Sequence, residues 1–236
     1  MKKRIWELDA LRGLFVLCVV FIHLMYDLTD LYGLIDLEYP PVYLFVQAWG
    51  GVLFLLISGI CVTLGRRCVR RGILVFLCGL AITAVTTGMY WIGMASQGII
   101  IYFGVLHCLG ICMLLWPLFQ KLPNWALAAT GIVFVLAGLL LRNISVSHNW
   151  LMPLGLTSPH FVSADYFPLL PHLGFFLLGA LLGKTIYRKK QTLLPKVNPD
   201  ILPIRFLRLC GKHSLWIYLL HQPILSGIFW LILVLP

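Results

Sequence analysis

"RIWELDALRGLFVLCVVFIHLMYDL", residues 4–28, decides how the chain is read. Apart from Arg12 at its start and His23 and Asp27 at its far end, the run after Asp9 is almost wholly apolar. It is long enough to cross a bilayer, which takes about 20 mostly apolar residues. The acidic Glu7 and Asp9 precede the core and no small-residue cleavage pattern follows it, so the segment reads as a retained span and not a removed secretory signal.

The rest of the chain repeats this pattern. It is 61% hydrophobic and 11% charged over 236 residues, with a mean hydropathy of +0.95, well beyond a soluble domain. Seven spans are expected, at about 10–27, 41–65, 72–92, 98–119, 124–142, 170–187 and 213–235. The fold class is therefore all-α: a polytopic membrane helical bundle, read as a single domain over 1–236.

The distribution of basic residues orients it, because cytoplasmic loops carry the Lys and Arg excess. With the N-terminus cytoplasmic, the inner segments hold Lys2, Lys3, Arg4 and Arg12; Arg66, Arg67, Arg70 and Arg71; Lys121; and Lys184, Arg188, Lys189, Lys190, Lys196, Arg205, Arg208 and Lys212. Arg142 alone falls outside, and seven spans put the C-terminus outside as well. The net charge of +10 follows from topology and contact with anionic lipid, so no nucleic-acid partner is needed to explain it. The seven cysteines lie in spans or on the inner side, where thiols stay reduced, and no structural disulfide is expected.

Two outer loops stand out, an acidic one at 28–40 and one at 143–169 rich in aromatics, Pro and His. The longest inner loop, 188–212, is basic and carries Pro195, Pro199 and Pro203, and is expected to be irregular and surface-lying. Gly174, Gly179 and Gly183 allow close helix approach. Pro223 removes one backbone bond within the last span and is expected to bend it near His221.

Arg12 and His23 are eleven residues apart, which at helical geometry is about 20° past three full turns and about 16 Å. Asp27, four residues further, continues the same face. Ionisable groups in a span are costly and should face the bundle or an aqueous cavity. His23 with a carboxylate in reach could act as a base or carry an acyl group; equally, Asp27 marks a solvated helix end, His23 is a satisfied bundle residue and Arg12 an inner anchor. His107 and His221 are likewise either functional or satisfied core histidines. His107, Cys108 and Cys112 match no strong zinc pattern, and no metal is expected. The "GRRCVRR" run at 65–71 suits phosphate recognition by Arg66, Arg67, Arg70 and Arg71, although the positive-inside rule alone would also produce it.

The opening stretch resembles that of the membrane acyltransferase superfamily, which includes the acyltransferase-3 proteins and the heparan-alpha-glucosaminide N-acetyltransferase catalytic family. The match is Asp-x-x-Arg-Gly at Asp9, Arg12 and Gly13, followed by His23. It continues in "LFLLISG" (53–59), "FGVLH" (103–107), "DYFPLLPHLGFFLLG" (165–179) and "GKHSLWIYLLHQP" (211–223). The combination is most similar to the small bacterial members of the heparan-alpha-glucosaminide acetyltransferase family, although seven spans are fewer than the ten or so of better-known relatives.

The resemblance implies transfer of an acyl group, usually acetyl from cytoplasmic acetyl-CoA, to a sugar or related acceptor on the outer side of the bacterial inner membrane. His23 is then the catalytic His, oriented by Asp27. Arg12, Asp9 and the four inner arginines are donor-side residues, while His107, His221, Asp165 and Ser58 line the channel or meet the acceptor. The partners are acyl-CoA, a saccharide or glycan and membrane lipid, with homo-oligomer formation left open. The alternative is a small-solute or proton-coupled transporter using the same polar stripe as a path; a third reading is a non-catalytic membrane partner with a dry interior.

Overall fold

A computed structural model describes residues 5–234; Lys2, Lys3 and Arg4, counted above as inner charges, lie outside the described residues. Among the described residues, eight α-helices follow one another: α1 (Trp6–Tyr26), α2 (Pro41–Leu64), α3 (Cys68–Trp91), α4 (Val105–Phe119), α5 (Asn124–Leu141), α6 (Leu169–Thr185), α7 (Leu202–Lys212) and α8 (Ser214–Val234). Each of the seven expected spans contains one of them. Counting the π-helical turn Asp27–Leu31 that extends α1, five (α1, α2, α3, α5 and α8) are long and apolar enough to cross a membrane. The other two, α4 and α6, are apolar but shorter, with 15 and 17 residues.

The outer surfaces of the helices explain the composition. Phe21, Leu77, Val133, Leu140 and Trp230 are all exposed. In water such apolar surface would be a liability, whereas in a bilayer it is the face presented to lipid. The protein is an integral membrane protein built as an all-α bundle.

The chain divides into two compact units, one made of the described residues up to Phe54 and from Lys189 onward, the other running Leu55–Arg188. In the first, α1 packs along α7 and crosses α8. The α1–α7 contact depends on two glycines. A Cβ on Gly13 would strike the Leu207 carbonyl, and one on Gly211 would strike the Asp9 carbonyl. Buried Glu7 ties the connecting segment to the start of α1, accepting hydrogen bonds from Thr192 Oγ1 (2.9 Å) and the Leu193 N–H (2.8 Å).

Helix α7 corrects the expectation for 188–212. Residues 189–201 do run through turns, but 202–212 is a regular amphipathic helix. Pro203 does not interrupt it, because it occupies the first turn, where its missing N–H has no partner to lose and its fixed φ suits the helix. Cys210 and Gly211 are buried, while Leu202, Phe206 and Leu209 are exposed on another face. Pro223 lies inside α8, which runs on through it to Val234.

In the second unit, α3 packs on α4 and α5 on α6. The glycines of α6 act as close-approach points: a Cβ on Gly174 would crowd Gly131 and Val135 of α5, one on Gly179 the Leu56 carbonyl of α2, and one on Gly183 the Thr63 hydroxyl and Ile60 carbonyl. Lys184 Nζ donates to the Leu122 carbonyl (2.7 Å) and the Gln120 carbonyl (3.3 Å), supplying donors just beyond the end of α4. The seven cysteines are all unbridged.

Replacing Gly211 by Ala is expected to destabilise the first unit by about 1–3 kcal/mol, the range for overpacking. The reading is the thermal unfolding midpoint in detergent. Gly227→Ala on α8, where an added Cβ meets nothing within 4 Å, is the control expected not to lower the midpoint.

Candidate active site

In the first unit, α1 and α8 bring two histidines together. The His23 Nδ1 lies 2.9 Å from the carbonyl of Val19, four residues back on its own helix. A carbonyl can only accept, so Nδ1 carries the proton and Nε2 presents a lone pair. His221 repeats the arrangement with the Tyr218 carbonyl at 2.6 Å. The two rings meet edge to face, with centroids 4.7 Å apart and planes at 77°. His23 keeps partial exposure, whereas His221 is 9% exposed and its Nε2 has no hydrogen-bond partner.

Asp27 is fully buried. Its two carboxylate oxygens both accept from Gln222 Nε2, each at 3.1 Å, while the Gln222 Oε1 is buried without a partner. The expected pairing, with Asp27 orienting His23, is thus replaced by a different one. The helical side chain of His23 leans back toward the N-terminus, so its N–H finds the i−4 carbonyl. The carboxylate four residues ahead is free to bind the neighbour of His221 instead. Gln222 was missed at the sequence level; its only signal was adjacency to His221 in "YLLHQP".

At the other end of α1, Arg12 Nη2 approaches the hydroxyl of buried Ser214 at 3.4 Å, and its Nε is buried without a partner. Ser214 starts α8, so both ends of the polar stripe meet the same partner helix. Asp9 lies one turn before Arg12, with its carbonyl against Gly211. Glu7, also unassigned from sequence, serves the fold through Thr192 and Leu193.

The remaining candidates belong to the second unit. Arg66, Arg67, Arg70 and Arg71 are exposed and line an open groove of about 780 Å³ together with Ile73, Leu74 and Leu77. Ser58 is buried within α2. His107 and Asp165 come together at the start of α4: His107 Nδ1 accepts from the Gly104 N–H (3.2 Å) and an Asp165 carboxylate oxygen accepts from the Val105 N–H (3.0 Å). With Nδ1 accepting, the proton of His107 is on Nε2, facing Thr83 Oγ1 at 3.3 Å. The Thr83 hydroxyl in turn donates a hydrogen bond to the Ile101 carbonyl at 2.6 Å. Both ring nitrogens of His107 are thereby engaged: Nδ1 accepts at the N-terminus of α4, whose orphan N–H groups need acceptors, and Nε2–H is taken up by Thr83. This is why α4 begins at Val105 and not near residue 98.

In the connection before α6, the Tyr166 hydroxyl donates to the Met152 carbonyl at 2.7 Å. Burial pushes this phenol up to about 12, so it stays a proton donor over the whole neutral range. Among the described residues, no three His, Cys, Asp or Glu side chains converge as a metal site.

Removing the Gln222 amide should strand the buried carboxylate of Asp27. Gln222→Leu is expected to cost about 1–3 kcal/mol, the penalty for an unsatisfied buried polar group, and Asp27→Asn, which removes the charge, less. Thermal unfolding in detergent measures both; equal midpoints for Gln222→Leu and the unchanged protein would contradict the role of this contact.

The profile of the family described as "Heparan-alpha-glucosaminide N-acetyltransferase, catalytic" matches residues 4–223. No curated protein and no solved structure matches the chain.

Proposed function

The chain belongs to the heparan-alpha-glucosaminide N-acetyltransferase catalytic family, and from that premise we propose that this membrane acetyltransferase takes its acetyl group from cytoplasmic acetyl-CoA and delivers it to a sugar or related acceptor on the outer side of a bacterial inner membrane. The observation that carries the reading is the state of His23. Its Nδ1 proton is held by the Val19 carbonyl, which leaves the Nε2 lone pair as the reacting atom, a general base or a transient acyl carrier.

The carbonyl also supports the chemistry energetically. When Nε2 takes a proton or an acyl group the ring becomes cationic, and the Nδ1–H bond to a carbonyl strengthens as positive charge develops. Asp27 takes part at one remove, by holding Gln222 and with it the α8 segment that carries His221.

Two groups of guanidinium side chains are suited to the donor's phosphates, and each is tested in its own right. Arg12 has a buried Nε without a partner, and an uncompensated guanidinium N–H calls for an anionic or carbonyl acceptor. The Arg66, Arg67, Arg70 and Arg71 groove combines four planar donors with apolar Leu74 and Leu77, a surface that suits a ligand with phosphates and an aliphatic arm.

Purified protein in detergent is expected to bind acetyl-CoA saturably. Arg12→Ala and the paired change Arg70→Ala with Arg71→Ala should each weaken that binding about tenfold, close to 1.4 kcal/mol. His23→Ala should keep binding but lower acetyl transfer by about 10²–10⁴-fold, the span of a lost acid–base or nucleophilic group. Absence of binding by folded, unchanged protein would overturn the donor assignment, and retained turnover in His23→Ala the role of His23.

A further inference from the structure

The pairing of His221 with His23 is more than the reaction of a single histidine requires. Both rings carry their proton on Nδ1, committed to a backbone carbonyl, so both present an Nε2 lone pair. The rings are in contact, and the next residue adds a third acceptor, the Gln222 Oε1. Two of these three atoms are buried without partners, in a region where an unsatisfied polar atom is costly. A set of acceptors without a matching donor has chemical meaning: the group that completes it must bring protons and can lose one there.

Packing reinforces the point. The elements packed against this part of α8 include α1, whose ionisable groups here are His23 and Asp27. Asp27 is already occupied by Gln222, and no hydrogen bond joins it to either imidazole. Tyr218, one turn back on α8, uses its carbonyl to hold the His221 ring. Among the described residues, the imidazole in ring contact with His23 is that of His221, and its Nε2 is the lone pair left without a partner.

We propose that His221 is a second catalytic group of the acetyl transfer, its Nε2 removing the proton from the acceptor while the neighbouring Nε2 of His23 carries the acyl group, with Gln222 as a positioning residue. The inference rests on the acetyltransferase reading. In the first half, the lone pair of His23 Nε2 attacks the thioester carbonyl carbon; a C–N bond forms, the C–S bond breaks and the thiolate departs. The positive charge of the acylated ring is stabilised by the Nδ1–H bond to Val19. In the second half, the amine or hydroxyl of the acceptor attacks the same carbon. The new C–N or C–O bond forms, the bond to Nε2 breaks with its electron pair returning to His23, and the acceptor's proton passes to His221. That proton then leaves to water, balancing the one taken up by the thiolate.

The two halves are separable by experiment on the full chain in detergent. Exchange of labelled CoA into acetyl-CoA without acceptor reads the first half, and labelled acetyl transfer to glucosamine reads the whole. His221→Gln retains a donor for the Tyr218 carbonyl but cannot take a proton. It is expected to exchange CoA within about threefold of the unchanged protein while transfer falls about 100-fold. His221→Ala should behave alike, with transfer partly restored by added imidazole. Thermal unfolding of both variants accompanies each assay.

Equal loss of exchange and transfer in both variants would reduce His221 to a structural residue and overturn the proposal, as would transfer by His221→Gln at the unchanged rate. Transfer by the unchanged protein without any CoA exchange would overturn the division of labour, since His23 would then carry no acyl group. An unchanged protein that neither binds acetyl-CoA nor transfers acetyl would remove the parent reading itself, a result distinct from all of these.

Discussion

The two hydrogen bonds from Gln222 to Asp27 hold the register of the candidate site. A carboxylate buried in an apolar bundle must find a donor, because leaving it alone costs several times what a hydrogen bond returns. The donor that Asp27 finds comes from α8, and it makes the meeting of α1 and α8 specific where greasy surfaces alone would allow sliding. His221, one residue before Gln222, is brought edge to face with His23 as a consequence. At the opposite end, the approach of Arg12 to Ser214 ties the same two helices. A pair of otherwise lipid-like helices is thus registered by polar contacts at both ends of one stripe.

The same logic separates residues that support the fold from those available to react. His107 and Asp165 have the residue types of an active site, yet both accept hydrogen bonds from N–H groups at the start of α4, and His107 also reaches the hydroxyl of Thr83. His23 and His221 differ in what is left over. Each spends its Nδ1 proton on a carbonyl and keeps an Nε2 lone pair, and that of His221 is buried without a partner. Polar atoms within a membrane are normally satisfied by backbone or neighbour, so a leftover lone pair draws attention to chemistry.

Close packing supplies the rest of the architecture at little polar cost. Gly13 and Gly211 let α7 lie against α1, and the glycines of α6 let it approach α5 and α2. Without a strong hydrophobic drive between helices in lipid, such small-residue contacts are a main source of association. In α7 this produces an amphipathic element with one face on α1 and exposed Leu202, Phe206 and Leu209 on another, the pattern of a helix lying along a membrane interface.

What the sequence determined by itself was set by local, additive properties. Apolar length and charge placement are read along the chain, so the all-α membrane character and the seven helical segments were legible, as was the alignment of Arg12, His23 and Asp27 on one face of α1. The helix at 202–212 is hidden in the sequence because Pro195, Pro199 and Pro203 look alike there, whereas Pro203 falls in the first turn, where a helix accepts proline. The partners of those aligned residues were not legible at all. Whether Asp27 meets His23 or Gln222, and whether His107 closes a helix or faces a cavity, depends on contacts between residues as many as 195 positions apart. Spacing within a helix specifies which side chains share a face; only the packing of a second helix decides which of them are consumed in holding the fold and which keep a lone pair to spare.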